Sequence, residues 1–160
     1  MLSFEQMVLR LVVSLALGAL IGLERELLGK DAGIRTSMLV SGGAGLFAMI
    51  SLVMPEVFNL DPENLNTISD RVVSNIVVGV GFLGGGIILK SGEHVRGLTT
   101  AAVVWATAAI GTLVGLGLIK FAFTTALIIT GLLYFLRKVG LYEIIRPGKK
   151  VESGDDNHVD

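Results

Sequence analysis

The sequence has 160 residues, of which 52% are hydrophobic and 17% charged, with 21 glycines and a mean hydropathy of +0.74. This composition is too apolar and too rich in glycine for a water-soluble domain of this length, and it indicates a membrane protein. The absence of cysteine excludes disulfides, thiolate metal ligands and a cysteine nucleophile, while the net charge of −1 is less informative than the distribution of charge along the chain.

Five apolar runs are each long enough for a membrane helix, which needs about 20 residues to cross a hydrocarbon core about 30 Å thick. The sequence therefore predicts an all-α membrane protein, a bundle of five transmembrane helices that occupies residues 1–138 as one domain. A short cytoplasmic tail, expected to be partly disordered, follows at residues 139–160. The predicted helices cover residues 7–23, 36–54, 72–89, 98–116 and 119–136.

Small and polar residues form a stripe along the first predicted helix, because they recur every four residues. Gly18 and Gly22 lie in this stripe and would let another backbone approach closely. The stripe should face other helices, and Gly29 should end the helix. Its members are Arg10, Ser14, Gly18, Gly22 and Glu26.

The third predicted helix is dense in glycine and carries Asn75 in its first turn. Close packing of neighbouring backbones is the favoured interpretation, with the first-helix stripe as the expected contact; a local unwinding that exposes carbonyls to an ion is the alternative. The second helix should end at Pro55, and Trp105 of the fourth should pack inside the bundle. The fifth should face lipid over much of its surface. Glycines predicted to pack between helices are Gly18, Gly22, Gly79, Gly81, Gly84, Gly86, Gly111 and Gly115.

Lysine and arginine are distributed unequally between the two sides of the predicted bundle. The loop between helices one and two, the loop between helices three and four, and the C-terminal tail carry most of them. The positive-inside rule therefore predicts a cytoplasmic C-terminus and an N-terminus on the outer side.

No enzyme motif is present, so the sequence predicts neither catalytic nor cofactor-binding residues. Charged residues near helix ends would be costly if they faced lipid. They form either a belt of interfacial salt bridges or, with Asn75, Thr99 and Thr100, a polar path for a cation or a proton. Glu24, Asp70 and Asn75 are the candidate cation ligands, with Mg²⁺ as the candidate ion. The predicted polar cluster consists of Glu24, Arg25, Arg35, Thr36, Asn75, Arg96, Thr99 and Thr100.

Four stretches of the chain, in order, resemble the membrane domain of the MgtC/SapB family of bacterial inner-membrane proteins. They are GALIGLERE, AGIRTSMLVSGGAGLF, GVGFLGGGIILKSG and VRGLTTAAVVWATAAIG, within roughly residues 9–118. Four ordered motifs are more specific than a single small-residue motif. The resemblance implies a multi-pass protein of the inner membrane, linked to magnesium homeostasis and, in some pathogens, to virulence. Many family members carry a soluble C-terminal domain where this chain has a short tail.

The same resemblance places functional weight on residues in two hairpins. The resemblance also implies that some family members restrain the membrane ATP synthase. The expected function is therefore a membrane regulator or interaction partner that contacts lipid and another membrane complex, without a nucleic-acid partner. A cation transporter or channel and a homo-oligomeric scaffold, with a homo-dimer as its simplest form, are the alternatives. The weighted residues are Glu24, Arg25, Gly33, Arg35, Thr36, Asn75, Gly79, Gly81, Gly84, Gly86, Arg96, Gly97, Thr100, Ala101, Ala102 and Trp105.

Overall fold

The computed structural model describes residues 2–58, 65–91 and 94–138; the predicted tail at 139–160 lies outside them. Five helices in these ranges are long and apolar enough to cross a membrane, which confirms the predicted all-α, multi-pass architecture. A short antiparallel hairpin joins the third and fourth, pairing Leu89 with Arg96 and Lys90 with Val95. The elements are α1 (Phe4–Leu27), α2 (Ile34–Val57), α3 (Leu65–Ile87), β1 (Leu89–Ser91), β2 (His94–Arg96), α4 (Leu98–Gly115) and α5 (Ile119–Lys138).

Helix α1 begins earlier than predicted because Ser3 caps it. The Ser3 hydroxyl accepts a hydrogen bond from the Gln6 backbone N–H, and the Gln6 side chain accepts one from the Ser3 N–H, each at 3.2 Å. At the other end Gly29 has φ +61°, and the N–H of Lys30 donates to the carbonyl of Arg25 at 3.1 Å. This is a Schellman motif, so the predicted stop at Gly29 is confirmed.

Helix α2 continues through Pro55, so the predicted end at this residue is wrong. Pro55 is buried inside the last turn, and the helix ends at Val57. A proline there leaves few later backbone hydrogen bonds to interrupt, and membrane helices tolerate proline better than soluble ones do.

Helix α3 is continuous from Leu65 to Ile87, which favours the intact helix over the predicted alternative of local unwinding. Asn75 consequently lies in the third turn and not in the first. The chain then reverses through the hairpin, and Gly97 enters α4 with φ +84°. A β-carbon at Gly97 would collide with the carbonyl oxygen of Ile87, so the α3–α4 connection requires glycine.

Helix α4 is the centre of the bundle and contacts the other four helices. In its membrane span 56% of the residues are buried, against 11% for α5, whose predicted exposure is confirmed. Trp105 is 51% exposed, so its predicted packing inside the bundle is wrong. The exposed residues Ala102, Trp105 and Ala109 recur every three or four positions, so the indole lies on the one face of α4 that the described helices leave uncovered.

Glycine allows α1, α2 and α4 to approach backbone to backbone. A β-carbon at Gly18 would collide with the Ser37 carbonyl, and one at Gly111 with the Ser41 carbonyl. Gly22 and Gly115 are confined in the same way, by Gly33 with Ile34 and by Gly45, respectively. The predicted packing roles of Gly18, Gly22, Gly111 and Gly115 are therefore met within this chain.

The α3 glycines behave differently from the prediction. Gly84 lies beside Ala101, at 3.6 Å between its hypothetical β-carbon and the alanine Cβ. Nothing described lies within 4 Å of the corresponding position at Gly79, Gly81 or Gly86. The expected contact between these glycines and the α1 stripe is absent from the described residues, because α2 occupies the stripe instead.

Candidate functional site

The end of the bundle where α1 finishes and α4 begins is called the Arg25 end; the opposite end is the Arg10 end. Arg25 is only 4% exposed, and its Nη2 donates to Thr100 Oγ1 at 2.9 Å. The two residues meet because α1 and α4 run antiparallel. At the opposite end of this helix pair, Arg10 Nη1 donates to the Gly115 carbonyl, and the two contacts fit one antiparallel register. Arg25 Nε is buried and has no hydrogen-bond partner among the described residues.

Three consecutive charged residues of α1 have different surroundings, since successive helical positions point about 100° apart. Glu24 has a buried Oε2 with no hydrogen-bond partner in the described ranges. Glu26 Oε2 accepts a 2.8 Å hydrogen bond from the backbone N–H of Ile34. Glu26 therefore caps α2, whose own N-cap residue, Gly33, has no side chain with which to do so.

The first turn of α4 has no comparable cap. Its N-cap is Gly97, no described side chain accepts a hydrogen bond from the helix start, and the first backbone bond runs from the Ala101 N–H to the Gly97 carbonyl at 2.8 Å. Thr99 is exposed in this turn, whereas Thr100 is buried beneath Arg25. The Arg25 end thus combines an uncapped helix N-terminus with a buried cation.

The predicted polar cluster is only partly assembled. Arg25 and Thr100 bond directly, and Glu24 lies at the same end; four further members of the cluster are exposed at this end. Asn75 belongs elsewhere, because it precedes Gly84 by nine residues and so lies about 14 Å along α3 from the level of Ala101. The exposed members are Arg35, Thr36, Arg96 and Thr99.

The candidate cation ligands do not converge on one site. Glu24 is at the Arg25 end, whereas Asp70 lies further along α3 from it than Asn75 does and is exposed. Among the described residues no group of three or more acidic, histidine or cysteine side chains could hold a metal ion.

A groove of about 610 Å³ lies between the middle parts of α2 and α3. Asn75 is exposed in its wall, one helical turn from Gly79. Its lining is otherwise apolar, which makes the Asn75 amide an unusual polar group on a membrane-facing surface. The remaining lining residues are Leu39, Val40, Gly43, Ala44, Phe47, Val72, Ile76, Val80 and Leu83.

Sequence reasoning missed two features of the bundle. Arg10 Nη1 donates to the Gly115 carbonyl at 2.7 Å and so satisfies the C-terminus of α4; its place on the α1 stripe was the available signal. The hydroxyls of Ser14, Ser37 and Ser41 are buried between helices without a hydrogen-bond partner in the described part of the chain. In the sequence these serines belong to series of residues spaced by four, a pattern that is also typical of ordinary helix packing.

Comparison with known proteins shows clear relatives. The MgtC family model matches residues 11–141. Protein MgtC of Salmonella typhimurium is 42% identical over 122 residues, covering 76% of this chain and 48% of the relative. An uncharacterised Synechocystis protein is 41% identical over 121 residues, with 76% and 48% covered. YhiD of Escherichia coli K12, provisionally named a magnesium transporter, is 40% identical over 114 residues, with 71% and 52% covered.

The chain therefore spans about half the length of the curated relatives that it matches. No solved structure matches it.

Proposed function

Because the chain belongs to the MgtC family, we propose that it is a bacterial inner-membrane protein that acts in magnesium homeostasis by binding another membrane complex. The link to magnesium is supported by the provisional name of the Escherichia coli relative. The proposal assigns the chain a regulatory role without a catalytic step, and Mg²⁺ is the signal or cargo of the system it serves.

The exposed face of α3 is the observation that carries this proposal. Gly79, Gly81, Gly85 and Gly86 are open, with no described atom near the position of a β-carbon. Phe82, on the same helix, is 84% exposed. Open glycines beside large apolar side chains suit the close approach of a second membrane helix, and an exposed Asn75 amide could form an interhelical hydrogen bond. The membrane ATP synthase is the proposed partner complex.

The test places a larger side chain in the groove at Gly79, where an added β-carbon meets no described atom within 4 Å. Gly79→Leu should reduce growth of a complemented deletion strain in low magnesium and relieve inhibition of ATP-driven proton pumping in inverted membrane vesicles. Gly131→Leu is the matched control, because Gly131 is also an open, helical glycine but lies on α5. The control should behave as the wild type. Equal effects of the two variants, or no effect of either, would contradict the proposed binding face.

Cation transport is the competing function, and the buried, unpartnered Glu24 oxygen is the observation in its favour. Purified protein in liposomes should then move Mg²⁺, and Glu24→Gln and Asp70→Asn should abolish the flux. Absence of flux, together with reduced growth of the Gly79→Leu strain in low magnesium, supports the regulator. Flux that Gly79→Leu leaves intact supports the transporter.

The dimeric scaffold needs a different test from the one its glycine motif suggests. Gly18 and Gly22 are occupied by α2 of the same chain, so leucine at these positions would disrupt the bundle itself. If copies of the chain associate through the open α3 face, Gly79→Leu should lower the mass of the protein in detergent.

A further inference from the structure

The Arg25 end places two positive groups together. The guanidinium of Arg25 is buried, and it donates to Thr100 in the first turn of α4. The N-terminus of a helix carries the equivalent of roughly half a positive charge. Holding a buried cation against it is unfavourable unless a negative group lies close to both.

No described carboxylate serves as this negative group. Glu24 is adjacent to Arg25 in the helix, adjacent helical positions do not face each other, and the buried Glu24 Oε2 accepts no hydrogen bond in the described ranges. Glu26 is engaged by the Ile34 N–H. Asp31 is exposed. Within the part of the chain that the structure describes, the guanidinium therefore lacks an anionic partner.

The unused donors at this end match a phosphate group. A guanidinium has five N–H donors, and Arg25 directs one nitrogen to Thr100 while its Nε has no partner in the described chain. Among the described residues, no side chain caps the first turn of α4. Uncapped helix N–H groups together with an arginine are the donor set that binds phosphate oxygens. We infer that the Arg25 end of α4 binds a phosphate group, either from a lipid headgroup or from a soluble phosphate.

The surroundings of the site favour the approach of such an anion. Thr99 is exposed at the helix start, and the basic side chains of Arg35, Lys90 and Arg96 are exposed at the same end. Clustered positive charges raise the local concentration of anions, but they do so without selectivity. Recognition must therefore depend on Arg25 and the α4 N-terminus. This site is separate from the α3 face that carries the proposed function.

The experiment measures the melting temperature of the full chain in detergent against two probes. Sodium phosphate is compared with sodium chloride at equal ionic strength, and micelles containing phosphatidylglycerol are compared with micelles containing uncharged diacylglycerol. Protection by phosphate alone identifies a soluble source, protection by phosphatidylglycerol alone identifies a lipid headgroup, and protection by both shows that the shared phosphate chemistry is recognised.

Two variants locate the binding. Thr99→Glu places a carboxylate in the exposed first turn of α4, where it should occupy the donors and weaken the apparent affinity about tenfold, the size of one charge-assisted hydrogen bond. Arg25→Gln should weaken it at least as much. If Arg25→Gln does not fold, Thr99→Glu still decides, because an acidic residue near a helix N-terminus stabilises the helix.

Val95→Glu is the matched control, since it adds the same charge to the same end from an exposed position in β2. It should change the affinity by less than about twofold, because a solvent-exposed charge is screened. Equal weakening by Thr99→Glu and Val95→Glu would overturn the inference, because it would show general attraction to the surface. Absence of protection by either probe would overturn it as well.

Discussion

At the scale of single residues, the absence of a side chain at a few glycines decides how closely the helices pack. Gly111 lies against the carbonyl of Ser41, and Gly18 against that of Ser37. Gly43, on α2, is also helical, but no described atom lies within 4 Å of the position a β-carbon would take. Close backbone contact therefore requires glycine at positions 18 and 111, whereas Gly43 is replaceable.

Gly111→Ala should lower the free energy of unfolding by about 1–3 kcal/mol, since the added methyl group would force α2 and α4 apart. Gly43→Ala should leave it unchanged or raise it by up to about 1 kcal/mol, because alanine favours the helix more than glycine does. Thermal unfolding in detergent, followed by circular dichroism, measures both. A similar melting temperature for the two variants would contradict the close contact at Gly111.

At the scale of elements, two glycines with positive φ end or begin helices under different constraints. Gly29 completes the Schellman motif of α1 at φ +61° with open space around it. Gly97 starts α4 at φ +84° and also lies against the Ile87 carbonyl. Gly29 is thus required for its backbone conformation alone, and Gly97 for its conformation and its contact.

Gly29→Ala should cost about 1–2 kcal/mol, the penalty of a left-handed conformation for a residue with a β-carbon. Gly97→Ala should cost more, because the same penalty is combined with a collision that displaces the end of α3. The difference between their thermal unfolding midpoints isolates the contact. If Gly29→Ala is the more damaging of the two, the described α3–α4 connection is wrong.

At the scale of the whole molecule, exposed positive charge is concentrated at one end of the bundle. The exposed basic residues at the Arg10 end are Arg71 and Lys120, whereas those at the Arg25 end are Lys30, Arg35, Lys90, Arg96, Arg137 and Lys138. The positive-inside rule therefore leads us to expect the Arg25 end in the cytoplasm. An N-terminus on the outer side follows from this orientation, since α1 starts at the Arg10 end.

The absence of native cysteine makes this orientation directly measurable. In intact spheroplasts, a membrane-impermeant maleimide should label Lys120→Cys, and it should label Lys90→Cys only after permeabilisation. Both positions are exposed, so a difference in labelling reports the side of the membrane and not burial. The reverse pattern would place the Arg25 end outside.

The sequence by itself determined the number of helices, because each crossing requires its own apolar run of about 20 residues. It also determined the stop at Gly29 and the packing role of Gly18 and Gly111, which depend on local conformation and residue size. The family was recognisable for a similar reason: its ordered motifs lie within contiguous segments, and the comparison with known proteins confirms the resemblance.

Only the tertiary structure decided which helices these features join. Residue spacing defines the face of a helix but not its neighbour, so the sequence predicts α3 against the α1 stripe, whereas α2 covers it. The sequence predicts Trp105 in the interior, although it lies on the exposed face of α4 with Ala102 and Ala109. The bond between Arg25 and Thr100 joins residues 75 positions apart. It exists because antiparallel packing of α1 and α4 brings their ends together, which no local pattern encodes.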